Sequence, residues 1–167
     1  MQGRYGALAP GLYTLPLMTL APQEIRAYFI TTVTASRRRL FQVEQNAELL
    51  LDVLKTQRAK GNIAIHGFVI MPDHVHLLLT PAHEVSLEKA MQLIKGGFSF
   101  RLKSKMDVWE RSYDSRRIND AADFRSRLHY IHQNPVSAFK VVEQELYPYS
   151  SAAANSFSDP IPDHFLS

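Results

Sequence analysis

The chain has 167 residues, a formal net charge of +3, 46% hydrophobic residues and 21% charged ones, which suits one domain with its own core and is too apolar for a disordered polymer. It contains no cysteine, which excludes disulfides, thiolate metal sites and a cysteine nucleophile and fits a reducing cytoplasm. No stretch approaches the roughly 18 uninterrupted apolar residues of a membrane span, so no membrane partner is expected.

Residues 1–24 read as an irregular arm, because Pro10, Gly11, Pro16 and Pro22 interrupt every candidate apolar helix. The same interruptions argue against a signal peptide. Residues 27–34, AYFITTVT, are β-branched and aromatic and read as a strand. Apolar residues Leu50, Leu51, Val53 and Leu54 then predict a helix over 46–60, stopped by Gly61. Two strands follow, over 62–70 and 74–80, joined by Met71-Pro72-Asp73, where proline marks a tight hairpin connection. Ser86 opens a second helix with a buried stripe of Leu87, Met91, Ile94, Phe98 and Leu102. A short extended piece near 113–118 adds a possible strand. Asn119 or Asp120 then caps a third helix facing inward through Phe124, Leu128 and Ile131. Pro135 disfavours the helical conformation at Asn134, so this helix is expected to end about there. The tail 150–167 is rich in Ser, Ala and Pro and reads as flexible and loosely held. The expected organisation is therefore an arm over 1–24, one domain over 25–149 and the tail. Its β-α-β-β-α-(β)-α order suits an α+β fold, a split β-α-β antiparallel sheet with helices on one face.

Charge is unevenly distributed. Between Lys95 and Arg117 there are seven bases against three acids, an excess larger than that of the whole chain, and Arg37-Arg38-Arg39 forms a second basic knot. Such fields favour a polyanion such as nucleic acid, although a solvated helix face and a basic loop would look the same. Phosphate-loop, dinucleotide-binding, nucleophile-elbow and H-E-x-x-H motifs are all missing.

Two stretches carry chemistry. In MPDHVHLLLT, His74 and His76 alternate with Val75, so both imidazoles project from one face of a strand and suit a shared divalent cation. An H-x-H pair alone more often marks histidines bonded to backbone carbonyls. In LHYIHQNPV, Tyr130 and Asn134 lie four apart and so share a helix face. A tyrosine ionises at about 10 and needs a cation-rich surrounding to act as a nucleophile, and Asn134 offers an amide oxygen as a third ligand. Alone, such a tyrosine more commonly packs its ring and bonds its hydroxyl.

Together, these features resemble the single-tyrosine HUH transposases, and within them the REP-associated tyrosine transposases. The resemblance runs from about residue 27 to 151 through FVIMPDHVHLLLTP, IKGGFSFRL, VWERSYDSRRI, DFRSRLHYIHQNPVSA and YPYSS. It implies a ferredoxin-like sheet with the tyrosine on a C-terminal helix packed beside it. It further implies Tyr130 as nucleophile, with His74, His76 and Asn134 as ligands of a divalent ion, Mg2+ or Mn2+. The implied activity is cleavage and rejoining of single-stranded DNA at hairpin-flanked sites through a covalent 5′-phosphotyrosine, in the cytoplasm at the nucleoid. Two positions depart from the family pattern. Asp73 stands where relatives often have Asn, either as an outer partner of the metal site or as a turn former, and Arg116 stands where many have His.

Lys95, Arg101, Lys103, Arg111, Arg116 and Arg117 are the candidate DNA contacts, and Trp109 or Tyr113 a stacking platform, although core packing suits Trp109 better. Gly96 and Gly97 would admit either DNA backbone or a neighbouring helix. Monomer and homodimer both remain open, and with them whether Tyr130 serves its own histidines. The readings that compete with a strand transferase are a non-cleaving hairpin-binding regulator and a metal-dependent hydrolase of small phosphoesters.

Overall fold

The computed structural model describes residues 25–167, so the arm expected over 1–24 lies outside the described residues. The main elements are strand β1 (Tyr28–Val33), helix α1 (Glu44–Ala59), strands β2 (Ile63–Ile70) and β3 (His74–Pro81), helix α2 (Leu87–Leu102), strand β4 (Asp114–Arg117) and helix α3 (Ala121–Ser137). The strands form one antiparallel sheet in the order β2-β3-β1-β4, the α+β split arrangement expected.

Strand alternation divides the apolar residues between two faces. Val75, Leu77 and Leu79 of β3, with Ile30, Ile65, Phe68 and Ile70, join Leu50 and Leu54 of α1 and Met91, Ile94 and Phe98 of α2 in the larger core. Leu78, Val69, Ile118, Phe124 and Ile131 form a smaller core on the opposite face, under α3. The helices of the split unit thus share one face, and the third helix takes the other. The histidines lie on α3's side, because His74 and His76 alternate with the residues of the larger core.

Local chemistry sets the helix starts. Ser86 Oγ accepts the Lys89 N–H at 3.0 Å, and Asp120 Oδ1 accepts that of Asp123 at 2.7 Å, each relieving an orphan donor of a first turn. Asp123 Oδ2 in turn accepts the Asn119 N–H at 3.1 Å.

Two expectations fail. Helix α3 does not stop at Asn134 but continues through a buried Pro135 to Ser137. Proline removes a single bond this near the end, and the turn closes through Ala138 N–H to the Asn134 carbonyl at 3.0 Å and Lys140 N–H to the Pro135 carbonyl at 2.9 Å. The tail 150–167 is also not loose. Ser151 N–H bonds the Phe68 carbonyl at 2.9 Å and Asp159 N–H bonds that of Ile65, while the Asp159 carboxylate holds Arg58 through both Nε and Nη2. Polar composition hid this strap, which supplies partners to the otherwise unpaired edge of β2.

One irregularity in β2 seats α3. The register slips between Ile65 and Gly67, a bulge that leaves His66 as the extra residue. A Cβ on Gly67 would collide with Cδ1 of Leu128, so any larger residue there would force the Leu128 side chain to shift under α3.

Candidate nucleic-acid-processing site

The hairpin between β2 and β3 positions the first histidine. Thr34, just after β1, donates its N–H to the Asp73 carbonyl at 3.0 Å and its hydroxyl to the Arg38 carbonyl at 2.7 Å, and Phe41 N–H bonds the Pro72 carbonyl at 3.0 Å. Asp73, so fixed, accepts His74 Nδ1 on its carboxylate Oδ1 at 2.7 Å. A carboxylate only accepts, so the proton sits on Nδ1 and a neutral His74 keeps its lone pair on Nε2. Burial works to raise the Asp73 carboxyl, but the bond and charge of His74 and the nearby Arg37 outweigh it and hold its pKa below the usual value.

His76 faces Thr31 across the β1–β3 ladder, and its Nδ1 meets Thr31 Oγ1 at 2.9 Å. The residue is 5% exposed, and burial, aided by His74, lowers its pKa to about 3. It is therefore neutral at ordinary pH. With the proton on Nδ1 it too presents Nε2 as a donor atom. Among the described residues no hydrogen bond engages Nε2 of either ring, and the two rings lie 4.9 Å apart, centre to centre. Both imidazoles are thus anchored through one nitrogen and open at the other, the arrangement in which histidine binds a metal.

Tyr130 comes to the same place from α3. Its ring is 5.3 Å from that of His76 and 5.8 Å from Phe29, edge-on to both. Phe29 in turn stacks on His76 at 5.4 Å and 17°. Tyr130 remains 48% exposed, so substrate can reach it. Phenol and imidazole lie side by side within one chain. Asn134 is half-buried one turn further along α3. Among the described residues no group of three or more His, Cys, Asp or Glu is arranged to hold a metal. An ion here would rest on two imidazole nitrogens and an oxygen such as the Asn134 amide, a mixed set that suits manganese and leaves positions for substrate oxygens.

The predicted basic contacts are divided between faces. Arg116 lies opposite Phe29 in the β1–β4 register and so shares the histidine face, whereas Arg117, opposite Tyr28, turns away. Arg101 pairs with Asp52 of α1 at 2.5 Å, within the helical layer on the far side of the sheet, and Lys103 caps α2 there in a left-handed conformation. Lys95 donates to the Glu110 carbonyl at 2.9 Å and lies 5.5 Å from the Tyr113 ring centre. Arg111 is exposed beyond Trp109. Trp109 packs against Phe41 and Phe98 and donates Nε1 to the Lys95 carbonyl at 3.1 Å, so it belongs to the core. Gly97 faces Val53 of α1 and admits that helix.

Sequence reading missed Phe29, Thr31 and Arg127. Arg127 lies three residues before Tyr130, a helix-face spacing that would have revealed it. Thr31 and Phe29 emerge only from the strand register.

Comparison with known proteins points the same way. The model of the family described as "Transposase IS200 like" matches residues 25–134. A REP-associated tyrosine transposase of Escherichia coli strain K12 is 25% identical over 125 residues, covering 74% of each chain. A putative REP-associated tyrosine transposase of Haemophilus influenzae is 28% identical over 96 residues, covering 49% of this chain and 54% of the relative. Among solved structures, a REP-associated tyrosine transposase bound to a REP hairpin shares the fold with a TM-score of 0.65 at 24% identity, over 75% of this chain and 76% of that one. A putative transposase from Deinococcus radiodurans aligns with a TM-score of 0.50 at 19% identity, over 80% and 97%.

Proposed function

Because the chain belongs to the IS200-like transposase family, we propose that it cleaves and rejoins single-stranded DNA beside hairpins, through a covalent bond between Tyr130 and a 5′ phosphate. The observation that carries this reading is the contact of the Tyr130 ring with the neutral, Nδ1-anchored His76. The hairpin as partner is supported by the related enzyme whose structure holds a REP hairpin.

In this mechanism His74 Nε2, His76 Nε2 and the Asn134 amide oxygen would hold a divalent ion, Mg2+ or Mn2+. Once bound, it would neutralise the non-bridging oxygens of the scissile phosphate and orient the phosphorus for attack. Thr31 and Asp73 keep the two rings in the orientation that aims Nε2 outward. Tyr130 Oη attacks phosphorus in line. The new P–O bond forms as the bond to the 3′ oxygen breaks, the phenolic proton passes to water, and the departing oxygen takes up a proton to become a 3′ hydroxyl. Attack by another 3′ hydroxyl reverses these steps and joins strands without a nucleotide cofactor. Among the described residues no helix is long and apolar enough to cross a membrane; the proposed setting of the reaction is the cytoplasm, at the nucleoid.

The test is incubation of the full chain with end-labelled single-stranded DNA bearing a hairpin, in Mn2+, followed by denaturing electrophoresis. A covalent protein–DNA adduct is expected, lost on chelation and lost in Tyr130→Phe. An adduct that survives Tyr130→Phe overturns Tyr130 as the nucleophile, and no adduct across a broad hairpin panel overturns the reading in favour of a non-cleaving hairpin-binding regulator.

A further inference from the structure

The helix that carries Tyr130 also carries a guanidinium that the mechanism above does not use. Arg127 lies one turn before Tyr130 on α3, and its Cζ sits 5.3 Å from the centre of the Phe29 ring. That ring is the one stacked on His76 and met edge-on by Tyr130, so a cation, a phenol and an imidazole converge on one phenylalanine. Arg127 Nε is buried and has no hydrogen-bond partner among the described residues. The nearest counter-charge, Asp123 Oδ1, is 3.6 Å from Nε, beyond hydrogen-bond length. The other oxygen of Asp123 is engaged by the Asn119 N–H. The Arg127 side chain keeps 25% of its surface exposed. Arg116, opposite Phe29 on β4, adds a second cation to this face.

A planar cation fixed over an aromatic ring, paired with Asp123 only at 3.6 Å and beside the proposed nucleophile, suits a closer anion. We propose that Arg127 is a phosphate-binding residue of the Tyr130 site, its guanidinium reaching the non-bridging oxygens of the phosphate that Tyr130 attacks. This rests on the strand-transfer reading above and deepens it. The forked donors of arginine would then add to whatever charge a divalent ion held by the imidazoles supplied to the phosphate. Arginine and nucleophile share one helix, so their spacing survives any shift of α3 against the sheet. Phe29 acts through both as a positioning residue, holding the guanidinium by its face and the phenol by its edge.

Two readouts on the full chain test this, with thermal unfolding as the folding control. The first is affinity for a single-stranded hairpin oligonucleotide against salt concentration, measured in a Tyr130→Phe background so that no turnover intervenes. Adding Arg127→Met should lower the slope of log affinity against log salt by about 0.7, the share of one phosphate contact on a single strand. Arg127→Lys should keep that slope. The second is the single-turnover rate of adduct formation with Tyr130 intact. Arg127→Met should slow it by about 100-fold or more, as loss of one transition-state donor does, and Arg127→Lys should restore it only in part, because an ammonium makes no fork. An unchanged salt slope and an unchanged adduct rate in a folded Arg127→Met protein overturn the proposal, leaving Arg127 a support for Phe29 alone. A lowered slope with no adduct from the wild type upholds the phosphate contact and sinks the strand-transfer reading instead.

Discussion

His66 and His76 are both buried on the face of the sheet covered by α3, on neighbouring strands, and their rings are used differently. His66 has both nitrogens engaged, Nδ1 with the Pro160 carbonyl at 2.8 Å and Nε2 with Thr80 Oγ1 at 2.8 Å. Its ring is a clasp joining β2, β3 and the C-terminal strap. His76 has Nδ1 engaged by Thr31 and its Nε2 without a hydrogen bond, and its neighbours are another imidazole and an exposed phenol. Burying an imidazole is costly unless its polar atoms are matched. At the His66 end the protein matches both. At the His76 end Nε2 bonds no described residue and is not among the buried unpartnered atoms, so it is open to a ligand. Counting occupied nitrogens thus separates a histidine that holds the fold from the one the proposed mechanism uses.

The largest expected effect comes from exchanging the two losses. His76→Ala should reduce adduct formation beyond the roughly 10–100-fold that loss of an outer partner costs a metal site, with a modest change in unfolding temperature. His66→Ala should do the reverse. It strands Thr80 and the Pro160 carbonyl and should cost about 1–3 kcal/mol of stability, while the adduct rate per folded molecule stays near wild type. Equal damage to chemistry from both substitutions, at a temperature where both proteins are folded, would break the distinction.

A smaller effect tests whether the orientation of the rings matters. Asp73→Ala removes the acceptor that fixes the proton of His74 on Nδ1 and should weaken Mn2+ binding by about 10–100-fold. Asp73→Asn should weaken it less, because the amide oxygen still accepts. A Mn2+ titration followed by the rise in unfolding temperature measures both. If neither substitution moves the midpoint, Asp73 serves only to close the hairpin.

The element order could be read from periodicity because the strands, helices and caps depend on residues within a few positions of one another. The pairing of His74 with His76 was legible for the same reason. What escaped was set by contacts across long separations. Thr31 meets His76 over 45 positions and His66 meets the strap over 93 to 94, and no spacing rule reaches that far. The tail's Ser and Ala suggested a loose end, whereas its attachment depends on Ser151, Phe157 and Asp159 finding the open edge of β2. Pro135 misled for another reason. A rule about the residue before proline describes an average, and here a single lost bond near a buried helix end is tolerated.

The gentlest test of the two histidines uses acid. Burial lowers the pKa of His66, against the bonds of its ring to the tail carbonyls, and burial with His74 lowers that of His76 to about 3. An unfolded histidine titrates near 6.5, so below that pH the unfolded state takes up protons that the folded state refuses. Each ring's contribution is therefore complete above about pH 6.5 and declines as pH falls towards its folded value, by about 1.4 kcal/mol per pH unit. For His76 alone the loss by pH 5 is about 2 kcal/mol. The unfolding temperature should accordingly drop between pH 7 and pH 5. A folded ring that titrates at about 3 still has its open nitrogen free of a proton at pH 5. Mn2+ should then stabilise the wild type and His66→Ala at both pH 7 and pH 5, and His76→Ala at neither. Stabilisation by Mn2+ that persists without His76 would place the ion elsewhere and return both histidines to the same structural class.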